Sequence, residues 1–186
     1  MLITQNITKQ NYSKELLRLY NDNFPVNERV PFERLIKGLD KGSTMTAYYD
    51  KDEFIGFTYL YHYQKLTYFA YLVIEEKHRG KGYATQIIQH IQATYPHKIV
   101  LDIECLDPSA HNADQRKKRR DLYLKNGFVS TNVFYYFYHV NYELLSCHGL
   151  CSAKEYSDLI ITHWGAHARK AQFYDDKGNP LKFEML

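Results

Sequence analysis

The sequence predicts one α/β domain with a mixed, mostly antiparallel sheet flanked by helices. Three observations predict it. Three β-type runs lie between residues 44 and 74 with hairpin-length breaks, the pattern of an antiparallel meander. A glycine-bearing turn then opens an amphipathic helical stripe that leads into another strand, and such a β-helix-β passage makes a parallel crossover. Finally, strand-like and helix-like runs follow one another over 186 residues with no Pro/Ser/Gly-rich linker and no internal repeat. One domain is therefore expected over 1–186, with 170–186 as a C-terminal extension.

The elements follow in chain order. Leu2 to Ile7 alternates like a strand, and Asn11 to Tyr20 places Leu16, Leu17 and Tyr20 at helical spacing. Pro25 and Pro31 punctuate the chain before a short helix from Phe32 to Leu39, ended by Gly42. The meander strands are Thr44 to Tyr49, Phe54 to Tyr63 and Thr67 to Ile74. After Gly80, Ala84, Ile87, Ile88 and Ile91 form an i, i+3, i+4, i+7 stripe that stops before Pro96. Lys98 to Cys105 is a strand, and a polar helix runs from Asn112 to Lys125 into the C-cap pair Asn126-Gly127. Phe128 to His139 and Tyr142 to Ser146 are strand-like, and Ser152 caps a helix to Trp164. In the tail, Asp175 to Asn179 reads as a turn between two short strands.

Composition excludes several classes. A mean hydropathy of −0.52 and a longest apolar run of only Tyr68 to Ile74 leave no segment near the ~20 residues that span a bilayer. The first ten residues show no basic region followed by an apolar one, and Cys105, Cys147 and Cys151 make no disulfide framework, so a cytoplasmic setting is expected. Lys+Arg 24 against Asp+Glu 21 gives +3, too mild for a nucleic-acid binder held by counterion release. Aromatic content is 16%, with Tyr 18 against Phe 10, which suits half-buried strands or a polar cleft.

The segment richest in chemistry runs from Leu72 to Thr85. An apolar strand enters the turn Arg79-Gly80-Lys81-Gly82, and Tyr83, Ala84 and Thr85 open the helix. Glycines let an anion approach the main chain, the first helical amides lack internal partners, and Arg79 and Lys81 add charge; a pyrophosphate is the natural guest. The P-loop pattern is absent, and the dinucleotide pattern G-x-G-x-x-G fails because position 85 is Thr. The pattern that fits is R-x-x-G-x-A at Arg79, Gly82 and Ala84.

These residues resemble the acetyl-CoA signature Q/R-x-x-G-x-G/A of the GNAT superfamily of N-acetyltransferases. Leu122-Tyr123-Leu124-Lys125-Asn126-Gly127-Phe128 is similar to the family's second landmark, and the order of elements agrees over residues 1–165. The resemblance implies the GNAT fold, with the central sheet splayed between two parallel strands. It also implies that the main chain of Leu72, Val73 and Ile74 pairs with the pantetheine arm, that the pyrophosphate sits on the amides of Arg79 to Thr85, and that Tyr123 lies near the coenzyme sulfur. The co-substrate would be acetyl-CoA, with no metal.

Acetyl transfer to an amine makes two demands. An ammonium of pKa ~10.4 must lose a proton before it attacks, and the departing thiolate, of thiol pKa ~8.5, accepts one. Tyr123 is the expected general acid. For the base, Asp102 and Glu104 share one face of their strand, and Glu104 lies nearer its open end. Glu104 is the expected base, with Glu75, Glu76, His78 and His111 as rivals, unless it is tied to Arg119 or Arg120. Many family members carry Asn seven residues before the Tyr, where this chain has Arg116. The basic run Arg116 to Arg120 is a solvated face, or a holder of an acidic group on the acceptor, or a tether for Glu104. Cys147, His148, Cys151, His163 and His167 do not make a regular zinc pattern.

The expected activity is direct transfer of acetyl from acetyl-CoA to a primary amine of a small molecule or peptide in a ternary complex, without a covalent enzyme intermediate. A catalytically silent acyl-CoA-binding module is the alternative. Expected partners are acetyl-CoA and the acceptor, with no nucleic acid or membrane, in a monomer or homodimer.

Overall fold

The computed structural model describes residues 2–24 and 30–186, so the expected break at Pro25 lies outside the described residues. The described residues form an eight-stranded sheet ordered β1-β2-β3-β4-β5-β7-β6-β8, mostly antiparallel with one parallel pair, and five α-helices flank it. This is the predicted α/β architecture. Contacts divide it into two compact units, Met1–His62 with Phe69–Ile91, and Tyr63–Tyr68 with Gln92–Leu186. No described helix is long and apolar enough to cross a membrane.

The first unit holds β1 (Ile3–Asn6), α1 (Lys14–Asn23), α2 (Phe32–Gly38), β2 (Ser43–Asp50), β3 (Glu53–Tyr63), most of β4 (Leu66–Ile74) and most of α3 (Tyr83–Thr94). The first helix starts later than its periodicity predicts, because the Ser13 hydroxyl accepts from the Leu16 amide at 3.1 Å and caps it there. β2 pairs antiparallel with β3 from Ser43↔Tyr61 to Asp50↔Glu53, as the hairpin-length break requires. The expected stripe of α3 is buried at Ile87, Ile88 and Ile91. Tyrosines fill this core without stranding their hydroxyls: Tyr59 donates to the Leu35 carbonyl at 2.8 Å and Tyr20 to that of Val30 at 2.7 Å.

The second unit takes Leu66–Tyr68 of β4, which pair in parallel with Lys98–Val100 of β5 (Lys98–Glu104). The remaining elements are α4 (Ala113–Lys125), β6 (Val129–Phe137), β7 (Val140–Cys147), α5 (Ala153–Trp164) and β8 (Gln172–Asp175). β7 pairs with both β5 and β6, so the chain leaves β5, lays down β6 one place away, and fills the gap with β7. The β6–β7 hairpin turns at Tyr138 and His139, both at positive φ (47° and 65°); the sequence assigns them to the strand. Ser152 and Glu155 form a full capping box on α5. The tail docks: β8 pairs with β6 from Gln172 to Asp175, the Gly178 amide closes on the Asp175 carbonyl at 3.0 Å, and the expected second strand is one bridge, Tyr174↔Pro180.

Candidate functional site

In the first unit, β4 runs out through Leu72, Val73 and Ile74, of which Val73 is buried. A single 3-10 turn, Glu76–His78, joins it to Arg79, Gly80, Lys81 and Gly82, all four exposed. Gly80 and Gly82 have φ of +75° and +83°, and a Cβ built on either meets nothing within 4 Å. Backbone conformation, not crowding, therefore requires glycine, and the space above the turn is open. The helix begins at once, with the Gln86 amide on the Gly82 carbonyl at 3.3 Å. Of the five described α-helices, α3 is the one with no acidic residue in its first turn; the others carry Glu15, Glu33, Asp114 and Glu155. No acidic side chain of its own first turn offsets the positive end of its dipole.

The side chains here divide their work. Arg79 donates from Nε to the Ile74 carbonyl at 3.1 Å and from Nη2 to Asn23 at 2.7 Å, so it braces the strand end. Lys81 has no ion pair among the described residues and is the available cation. Tyr83 donates to Asp50 at 2.7 Å, which fixes the first turn of α3 on the β2–β3 hairpin, while Ala84 and Thr85 are half-buried. Of the rival bases, Glu75 is ion-paired to Arg18, and buried His78 lies 3.4 Å from Glu53 with its ring edge-on to Tyr83.

In the second unit, α4 presents Tyr123, 8% exposed, with its ring edge-on to Phe128 at 5.6 Å. The amides of Asn126 and Phe128 both close on the Tyr123 carbonyl, at 3.0 and 3.1 Å, so the predicted cap also fixes this residue. Burial pushes its phenol up to about 12; the Asp102 charge adds to the rise and Arg119 opposes it. Glu104 meets Arg116 Nη2 at 2.8 Å, and Arg119 and Asn112 at 3.4 and 3.3 Å. Arg116 also donates to Asn112 Oδ1 at 2.7 Å and the Cys105 carbonyl at 2.9 Å. Each of its three nitrogens has a partner inside the protein, which favours a tether over an acceptor contact. Arg120 instead grips Glu143 through two bonds of 2.8 and 3.0 Å.

Asp102 has different surroundings. Tyr68 donates to Oδ1 at 2.6 Å, Tyr135 donates to Oδ2 at 2.7 Å, and the hydroxyls of Tyr135 and Tyr156 lie 3.2 Å apart. Burial raises the carboxyl's pKa, against the lowering effect of the two phenols. Period-two alternation places Asp102 beside Glu104 on one face but does not show this network. The thiols are held in the protonated form: burial pushes Cys105 up to about 11 and Cys151 up to about 12, and it also raises Cys147. Cys105 lies one residue past β5, half-buried, rather than inside the strand. No group of three metal-ligating side chains occurs among the described residues.

The strand, positive-φ turn and uncompensated helix start coincide with the R-x-x-G-x-A residues, and residues 40–130 match the acetyltransferase (GNAT) domain family. Residues 40–130 form a GNAT acetyltransferase domain. Solved structures share the fold of this GNAT domain. A GNAT-family protein of Bacteroides thetaiotaomicron aligns with a TM-score of 0.71 at 22% identity, over 88% of this chain and 99% of its own. A variant of the spermidine N-acetyltransferase SpeG from Vibrio cholerae gives 0.57 at 17%, over 78% and 94%. A GNAT acetyltransferase from Elizabethkingia anophelis with acetyl-CoA bound gives 0.55 at 15%, over 78% and 97%. No curated protein sequence matches the chain.

Proposed function

We propose that this GNAT domain transfers an acetyl group from acetyl-CoA to a primary amine by direct attack. The observation that carries the proposal is the start of α3, where two positive-φ glycines, open space and an acid-free first turn meet the exposed Lys81. These features fit a pyrophosphate. The amides of Arg79 to Thr85 and the Lys81 ammonium hold the phosphates, and the main chain of Leu72 to Ile74 pairs with the pantetheine arm. Acetyl-CoA supplies an activated thioester.

Once it has lost one proton to solvent water, the amine attacks the thioester carbonyl; as the carbon–nitrogen bond forms and the carbon–sulfur bond breaks, the nitrogen loses a second proton, which replaces the one that Tyr123 gives up. Tyr123 gives its phenolic proton to the departing thiolate. A phenol held near 12 stays protonated across the working range and can serve each turnover as a donor. We assign Glu104 a positioning role: through Arg116 it ties the end of β5 to the helix that carries Tyr123. No cysteine is poised as a nucleophile, which supports a ternary complex over an acetyl-enzyme. The test is release of coenzyme thiol from acetyl-CoA against a panel of primary amines. Amine-dependent release supports transfer, while saturable acetyl-CoA binding with no release on any amine favours the silent binding module.

A further inference from the structure

We infer that Asp102, backed by Tyr68 and Tyr135 and walled by Trp164 and Phe137, forms a subsite for an alkylammonium group of the acceptor. The inference rests on the proposed amine acetylation and names the class of amine it uses.

The carboxylate is the first reason. Glu104 and Glu143 on the neighbouring strand positions each have arginine partners, but among the described residues no lysine or arginine ion-pairs with Asp102. Two phenols, the residue's own amide and the more distant Arg119 charge offset part of the desolvation of this half-buried carboxylate, but no described cationic side chain touches it. The two phenols occupy one lone-pair site on each oxygen, and an ionised carboxylate accepts about four bonds. A backbone amide also bonds to the carboxylate, which leaves capacity for at least one N–H of an ammonium.

The rings are the second reason. Tyr68, which holds Oδ1, also sets its ring edge-on to Trp164 at 6.0 Å, and Trp164 lies nearly parallel to Phe137 at 6.2 Å and 20°. Trp164 and Phe137 are half-buried, and beyond them Tyr138 is 62% exposed, 4.5 Å from Phe137 between ring centres. The aromatic strip thus runs from the phenol on Asp102 to the surface at the β6–β7 turn. Aromatic faces attract alkylammonium cations and also cover their methylenes. A carboxylate at the inner end and rings leading outward match a primary amine on an aliphatic chain.

Trp164 is the chain's single tryptophan, so its emission reports on this subsite. The experiment titrates the full chain with butylammonium chloride, and with 1-butanol as the neutral control of similar shape. The expected result is a saturable change in Trp164 emission with butylammonium and none with butanol at equal concentration. Asp102→Asn should weaken that binding about tenfold or more, the scale of a lost charged hydrogen bond. Phe137→Leu, which leaves the Asp102 network in place, should weaken it too. No saturable change in the wild-type chain, or equal binding of butanol, overturns the subsite whether or not a variant folds. Acetyl transfer to butylamine is measured in parallel. Transfer without ammonium binding at Trp164 overturns the subsite and leaves the activity, whereas ammonium binding without transfer supports the subsite and counts against the activity.

Discussion

The guanidinium of Arg116 meets Oε1 of Glu104 at 2.8 Å, and this contact ties the end of β5 to α4 two helical turns before Tyr123. If the pair is an anchor, Glu104→Gln should lower stability by about 1 kcal/mol, between the exposed and buried limits for ion pairs. Thermal unfolding should show it as a fall of a few degrees, about 2–4 °C for a chain of this size. The rate should drop while the pH profile keeps its shape. An unchanged melting temperature with a flattened acidic limb would instead make Glu104 the base.

Tyr123→Phe removes the proposed acid without emptying its packing site against Phe128. The expected loss is about 10²-fold in kcat, the low end for general acid catalysis because a thiolate needs little help. The pH dependence gives a second check. The raised phenol stays protonated below about pH 12, so the donor form is present throughout the range where the acceptor loses its proton. The wild-type rate should climb from pH 7 to about 10 with the fraction of neutral amine, without an alkaline decline.

Lys81→Ala tests the phosphate turn separately from the chemistry. KM for acetyl-CoA should rise about fivefold, the loss of one exposed charge contact to a phosphate. With S-acetylpantetheine, which lacks the pyrophosphate, the same variant should match the wild type. An equal effect on both donors would show that Lys81 acts elsewhere.

The thiols should be slow to react. With Cys105 near 11 and Cys151 near 12, the thiolate fraction at neutral pH is about two orders of magnitude or more below that of a free cysteine. Iodoacetamide at pH 7.5 should label the folded chain far more slowly than the unfolded chain, as followed by mass spectrometry. Complete alkylation on the time scale of free cysteine would contradict the buried environment.

Local features of the fold were legible in the sequence, and long-range ones were not. The spacing of Ile87, Ile88 and Ile91 specifies the buried face of α3, and Ser152 with Glu155 specifies the start of α5, because both signals lie within a few residues. The insertion of β7 between β5 and β6 depends on pairings such as Asp102↔Leu144, which no local pattern encodes. The same limit applies at the site. Alternation shows that Asp102 and Glu104 share a face, yet their partners come from different elements: Glu104 at the strand end meets the α4 arginines, while Asp102, two residues inward, meets Tyr68 and Tyr135. Arg119 and Arg120 are adjacent but about 100° apart around a helix, so one reaches Glu104 and the other Glu143 on the opposite face. The positive-φ turn before α3 was readable because glycine, cation and helix start are contiguous.

The most direct measurement of the central claim is a mass-spectrometric inventory of the wild-type chain incubated with acetyl-CoA and butylamine. The account predicts N-acetylbutylamine and free coenzyme A in equal amounts, with the protein mass unchanged. Acetyl-CoA recovered intact after saturable binding, or an acetylated protein that forms before the amine is added, would contradict it.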